Sequence, residues 1–169
     1  MQEAVIDTSV LVYDTFEDSL YHEAAARLLD SLDRWLIPLI VVYEYVWFLK
    51  GLNVRPADAR DKLLEYITGE KCLLVREGAD EIRWAFSRIV EEELSLARFN
   101  DAVVLSVAIR RGASLASFNA KLRKQAAKLG VNLLPETVEG FTEYGRTLKM
   151  NASTLAAKTL AARWSRESV

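Results

Sequence analysis

At 169 residues the chain has the length of one domain, enough to bury roughly 70% of its unfolded surface. With 22 Lys and Arg against 24 Asp and Glu, the net charge of −2 singles out no class of partner. One cysteine, Cys72, excludes an internal disulfide and any multi-cysteine metal site, and one histidine, His22, excludes His-rich zinc centres.

In chain order, Ala4-Val5-Ile6 is a short apolar strand that ends on Asp7. Tyr21 to Leu32 repeats apolar residues at helical spacing, and His22, in its polar part, is expected to face water. Trp35 to Leu49 (W-L-I-P-L-I-V-V-Y-E-Y-V-W-F-L) holds one ionisable residue, Glu44, and is too short to cross a bilayer. Pro38 divides it into a strand and a helix that Gly51 stops. Val41, Ile40, Trp47 and Phe48 flank Glu44 at three and four residues, so its face is expected to be buried. Pro56 and Asp58 open a helix through Ile67, Cys72 to Val75 is a third strand, and Asp80 to Glu92 an amphipathic helix. Phe99-Asn100-Asp101 leads into an apolar helix stopped by Gly112. Ser114 to Ser117 is a fourth strand, Ala120 to Leu129 a helix, and Val131 to Leu134 a fifth strand ending at Pro135. A tail, 137–169, is expected to pack on the same domain, with a helix from about Ser153 to Ser165.

Strand and helix alternate with short connections, which implies a mostly parallel sheet with helices on both faces. Such sheets bind ligands beyond the carboxyl ends of their strands. No G-x-x-x-x-G-K-[ST] or G-x-G-x-x-G follows the first strand, so that edge serves something other than a P-loop or dinucleotide site. Three acids are placed to reach it: Asp7 at the end of strand one, Glu44 in the first turns of the helix after strand two, and Asp101 at the start of an apolar helix. Asp7 and Asp101 also suit helix capping. Gathered carboxylates repel unless a cation intervenes, and hard oxygen-ligated ions such as Mg²⁺ or Mn²⁺ meet that need and commonly work on phosphates. Between Arg110 and Lys128 stand Arg110, Arg111, Lys121, Arg123, Lys124 and Lys128 with no Asp or Glu, a basic stretch suited to a polyphosphate backbone.

In order and spacing, V-I-D-T-S-V-L, the Pro38-to-Leu49 segment, F-N-D-A-V-V-L-S-V-A-I-R-R-G-A and S-L-A-S-F-N with the later G-V-N-L-L-P resemble the motifs of PIN-domain nucleases. The resemblance covers residues 3–136. It implies a three-layer α/β/α sandwich around a five-stranded parallel sheet, with Mg²⁺- or Mn²⁺-dependent cleavage of single-stranded or structured RNA. Asp7, Glu44 and Asp101 would be the metal and catalytic residues, with Ser9 orienting Asp7. Ser117-Phe118-Asn119 stands where many members carry a fourth acid. Asn119 lowers the negative charge by one and can still offer a carbonyl oxygen. Many small members are toxins of toxin–antitoxin pairs, similar to the VapC type, which implies an antitoxin partner and a homodimer. The opening M-Q-E-A-V-I-D is neither a signal nor a transit peptide, so a cytoplasmic protein away from membranes is expected. The alternative role is a catalytically weak or inactive PIN-like domain that docks RNA or protein.

Overall fold

The structure is a computed structural model that describes residues 2–138; the tail from 139 onward, with its expected helix, lies outside the described residues. The elements follow in the order β1 (Glu3–Ile6), α1 (Thr8–Thr15), α2 (His22–Ser31), β2 (Arg34–Pro38), α3 (Leu39–Gly51), α4 (Pro56–Ile67), β3 (Cys72–Val75), α5 (Ala79–Glu91), a 3₁₀ turn (Leu96–Arg98), α6 (Phe99–Arg111), β4 (Ser114–Ala116), α7 (Ala120–Lys128) and β5 (Leu133–Leu134). All strand pairs are parallel, in the order β3-β2-β1-β4-β5. This is the α/β sandwich that the alternating pattern implies.

The sheet centre follows from composition. Strands buried on both faces read as continuous apolar runs, and Ala4, Val5 and Ile6 of β1 are each fully buried. At the edge, β3 leaves Leu73 and Leu74 each 40% exposed. Helix α6 is apolar all round, and Ala102 to Ala108 are all buried. It is the inner helix, where Leu105→Ala would cost about 2–5 kcal/mol. It stops at Gly112, whose φ of +60° is the left-handed conformation that ends helices and that glycine adopts without penalty.

Two expectations of burial are corrected. Helix α3 buries Val41, Tyr45 and Leu49, which leaves Glu44 half-buried beside that stripe and Trp47 66% exposed. With apolar residues on every side, α3 carries no period that marks a face; its neighbours decide. His22 does not simply face water: it opens α2 half-buried, with Nδ1 3.2 Å from the carbonyl of Tyr13. No helix among the described residues is long and apolar enough to cross a membrane.

Candidate functional site

From β1 the chain goes to β2 and β3 on one side, while β4 and β5 lie on the other. Loops leaving β1 and β4 therefore part in opposite directions, and the crevice beyond their carboxyl ends is where open α/β sheets take ligands. Asp7 follows β1 at this point, with its N–H still in the ladder on the Ala116 carbonyl at 2.9 Å. Its side chain caps α1 and is only 4% exposed. Ser9 Oγ donates to Asp7 Oδ2 at 2.5 Å and Ser117 Oγ to the same oxygen at 2.7 Å. Each hydroxyl is itself aimed by backbone: Ser9 accepts from Phe118 N–H at 2.9 Å and Ser117 from Asn119 N–H at 3.0 Å. The loops after β1 and β4 are thus sewn together around one buried carboxylate.

Glu44 reaches the same place across neighbours of the other two acids. Its Oε2 accepts from Thr8 Oγ1 at 2.8 Å and its Oε1 from Asn100 Nδ2 at 3.0 Å. The helix that carries it begins at Pro38, which has no capping side chain, and Glu77 Oε1 accepts the Ile40 N–H at 2.9 Å instead. Asp101 lies in the first turn of α6 and does not cap it, because the N-cap is Arg98. One oxygen of Asp101 accepts from Arg98 at 2.8 Å and the other from Asn119 Nδ2 at 3.1 Å.

Asn119 has a settled orientation. Its Oδ1 accepts the N–H groups of Lys121 and Leu122 at the start of α7, so its NH₂ is the end turned to Asp101. The sequence suggested a carbonyl oxygen offered to a cation; here that oxygen is spent on the helix. Asp7, Asn119 and Asp101 are joined through Ser117 in one hydrogen-bonded arc, with Glu44 tied to its flanks.

The donor chemistry of this edge is all oxygen: three carboxylates with the hydroxyls of Thr8, Ser9 and Ser117, which suits Mg²⁺ or Mn²⁺. Among the described residues, no group of three or more Asp, Glu, His or Cys side chains is gathered closely enough to hold a metal ion. Mg²⁺ needs no such cage, since it keeps several waters and takes one or two carboxylates. The oxygen donors of Asp7, Glu44 and Asp101 suit such an ion by their chemistry.

The PIN-domain family model matches residues 4–128, most of the chain and all three acids. The chain belongs to the PIN-domain family. Its fold is that of VapC20 of Mycobacterium tuberculosis, a sarcin–ricin loop cleaving toxin, at 20% identity and a TM-score of 0.62 over 72% of this chain and 94% of that one. It is also similar to VapBC2 from Rickettsia felis bound to a DNA fragment from their promoter (18% identity, TM-score 0.56, 78% and 97% covered). A third similar structure is VapBC-1 from nontypeable Haemophilus influenzae (14% identity, TM-score 0.55, 78% and 96% covered). No curated protein matches the chain in sequence.

The basic residues expected to serve this PIN domain divide into three groups. Lys121 and Lys124 are exposed on the first turns of α7, which starts at Asn119 beside the acids. Arg110 and Arg111 stand at the far end of α6, and nine residues of helix put Arg110 about 14 Å from Asp101. Arg110 pairs there with Asp80 and Glu81 of α5. Arg123 is buried, not exposed, and burial lowers its guanidinium from the ordinary range. It donates to the carbonyls of Ser117, Leu134, Pro135 and Glu136 at 2.8 to 3.4 Å, binding the exit of β5 to the loop after β4. That fork of donors removes Arg123 from the RNA-facing set and makes it structural. Thr8, Asn100 and Arg98 were missed as members of the site, although each stands within three residues of an acid.

Proposed function

We propose that this PIN domain is a Mg²⁺- or Mn²⁺-dependent endoribonuclease acting on single-stranded or structured RNA, and that it is the toxin of a VapBC-type pair with a cognate antitoxin. One observation carries the enzymatic reading: the arc from Asp7 through Ser117 and Asn119 to Asp101, with Glu44 tied in by Thr8 and Asn100, at the β1/β4 switch point. Asp7, Glu44 and Asp101 would hold the metal, which when bound supplies positive charge against the charge that develops on the phosphoryl oxygens. The chain's own work is positional. Ser9 and Ser117 fix Asp7, Thr8 and Asn100 fix Glu44, and Lys121 and Lys124 hold the RNA backbone beside them. VapC and VapBC neighbours support the toxin role and the antitoxin partner. The outer face of α3, with Tyr43 60% and Trp47 66% exposed, supports a homodimer, to be read by sedimentation. A cytoplasmic site of action accords with an RNA substrate.

The test is labelled single-stranded RNA with purified protein, in Mn²⁺ and in EDTA, for wild type and Asp7→Asn. Cleavage in Mn²⁺ alone, lost in Asp7→Asn, is expected. The second reading, a non-catalytic RNA-docking domain, draws on the Asn119 NH₂ that faces Asp101 where an acid is common. It predicts RNA retention without cleavage in either condition.

A further inference from the structure

Arg98 is a cation where helix electrostatics disfavours one. It is the N-cap of α6, at the positive end of the macrodipole, and makes no capping hydrogen bond. Its backbone is fixed from both sides. The Arg98 N–H bonds the Ser95 carbonyl at 2.9 Å, and Phe99 packs on Phe86 with ring centroids 4.7 Å apart. The guanidinium is held by Asp101 at 2.8 Å, with the two side chains 23% and 15% exposed. A guanidinium offers five donors in a planar fork that matches carboxylate and phosphate alike.

We propose that Arg98 is a phosphate-binding residue of the active site, held in place by Asp101 and handed to the RNA backbone when that carboxylate takes up a divalent cation. The proposal rests on the nuclease reading above and extends it to a residue which that reading leaves unused. The reasoning is competition for one carboxylate. Asp101 accepts from Arg98 on one oxygen and from Asn119 on the other, so a cation taken up by Asp101 sits against both of these donors. An amide loses a neutral hydrogen bond and can stay. Arg98 carries a full charge of the cation's own sign, so it is the partner that is repelled. A guanidinium turned away from its carboxylate at a half-buried edge needs another anion, and a phosphodiester at the same edge supplies it in the same forked geometry.

The competition has a signature that an ordinary helix-start ion pair lacks. Arg98→Gln removes the competitor, so Mn²⁺ binding to RNA-free protein, measured by calorimetry, should tighten several-fold. In EDTA the same variant should bind RNA with the wild-type salt dependence, because without a cation the wild-type Arg98 stays on Asp101 and contacts no phosphate. In Mn²⁺ its single-turnover KM should rise, and the salt slope of that KM should shrink by about 0.7, one single-strand phosphate contact. Arg98→Lys keeps the charge without the fork and serves as the second variant, with an intermediate KM.

Unchanged Mn²⁺ affinity together with an unchanged salt slope in folded Arg98→Gln overturns the proposal and leaves Arg98 as a structural ion pair, and so does a wild-type KM in both variants. A salt slope that shrinks equally in EDTA also overturns it, since Arg98 would then contact RNA without any exchange. Wild-type protein that neither binds Mn²⁺ nor cuts RNA is a different result. It removes the nuclease reading itself and this proposal with it.

Discussion

Asn119→Asp isolates the electrostatics of the site in one atom. The cap on α7 survives, because Asp and Asn cap about equally well. The change falls on the other end of the amide, where an NH₂ donating to Asp101 Oδ1 at 3.1 Å becomes a carboxylate oxygen. Two unit charges at that separation repel by roughly 5 kcal/mol at an effective dielectric of about 20. Protonation sets a lower ceiling, since holding one carboxyl of pKa ~3.9 neutral at pH 7 costs about 4 kcal/mol. Arg98 beside Asp101 and the positive end of α7 offset part of this, leaving about 2–4 kcal/mol. For a chain of this size that lowers Tm in EDTA by roughly 5–15 °C. The pair's shared proton is bound more tightly folded than unfolded, so the deficit appears above the ordinary carboxylate pKa and shrinks as pH falls. At pH 5 its ceiling is only about 1.5 kcal/mol. Mn²⁺ should reverse the order, raising Tm more in the variant than in wild type. Melts at pH 7 and pH 5, in EDTA and in Mn²⁺, measure all of this. An EDTA melt at pH 7 equal to or above wild type would refute the contact between Asn119 and Asp101 on which the reasoning stands.

Asp101→Asn should also lower stability in EDTA, by about 1–2 kcal/mol, because Arg98 loses its half-buried partner; an unchanged melt would show that relief of carboxylate repulsion balances that loss. Arg123→Met should lose about 1–3 kcal/mol, since the buried Ser117 carbonyl is orphaned and the half-buried Pro135 carbonyl loses its donor, yet leave the salt slope of RNA binding intact. Changing Lys121 and Lys124 to Ala should do the reverse, flattening that slope by about 1.4 with little change in Tm. Glu81 is held below its ordinary 4.5 chiefly by the Gly78 N–H, so it stabilises the fold above that value and ceases to as pH falls through the lower folded value. Glu81→Gln should therefore converge with wild type in acid, and parallel acid limbs in pH-dependent melts would contradict the bond.

What the sequence made legible was backbone order and strand ends. Val5-Ile6-Asp7 and Leu115-Ala116-Ser117 read as apolar strands running into polar residues, and parallel pairing then sets those ends side by side. What it left hidden were choices made by tertiary packing. Lys121, Arg123 and Lys124 look alike as charges. Only the arrival of residues 134–136 beside Ser117 gives Arg123 carbonyls enough to be buried. Glu44 stands out as the one acid in an apolar run, but the same run conceals which side of α3 faces inward. Arg98 was legible in principle, three residues ahead of Asp101 at a helix start, where such pairs form. What the sequence does not show is that Asp101 stands beside Asn119 at the sheet edge, which is what brings Arg98 to the site.

The site's stability without a cation has a definite source, and it bears on how the fold keeps three acids in one crevice. Each carboxylate has its own donors: two hydroxyls for Asp7, a hydroxyl and an amide for Glu44, a guanidinium and an amide for Asp101. Two of the acids also sit at helix starts, Asp7 capping α1 and Asp101 in the first turn of α6, where the backbone favours negative charge. Charge-assisted hydrogen bonds of this kind are worth about 1.5–3 kcal/mol each, comparable with the repulsion between carboxylates kept apart by intervening side chains. Such donors act against the repulsion without a cation, unlike a zinc-dependent domain whose binding energy is its folding energy. The three acids are held on hydroxyls and amides and, at Asp101, also on the Arg98 guanidinium. The charge of Arg98 opposes an incoming cation at Asp101, and on the proposal above this contact couples metal uptake to phosphate binding.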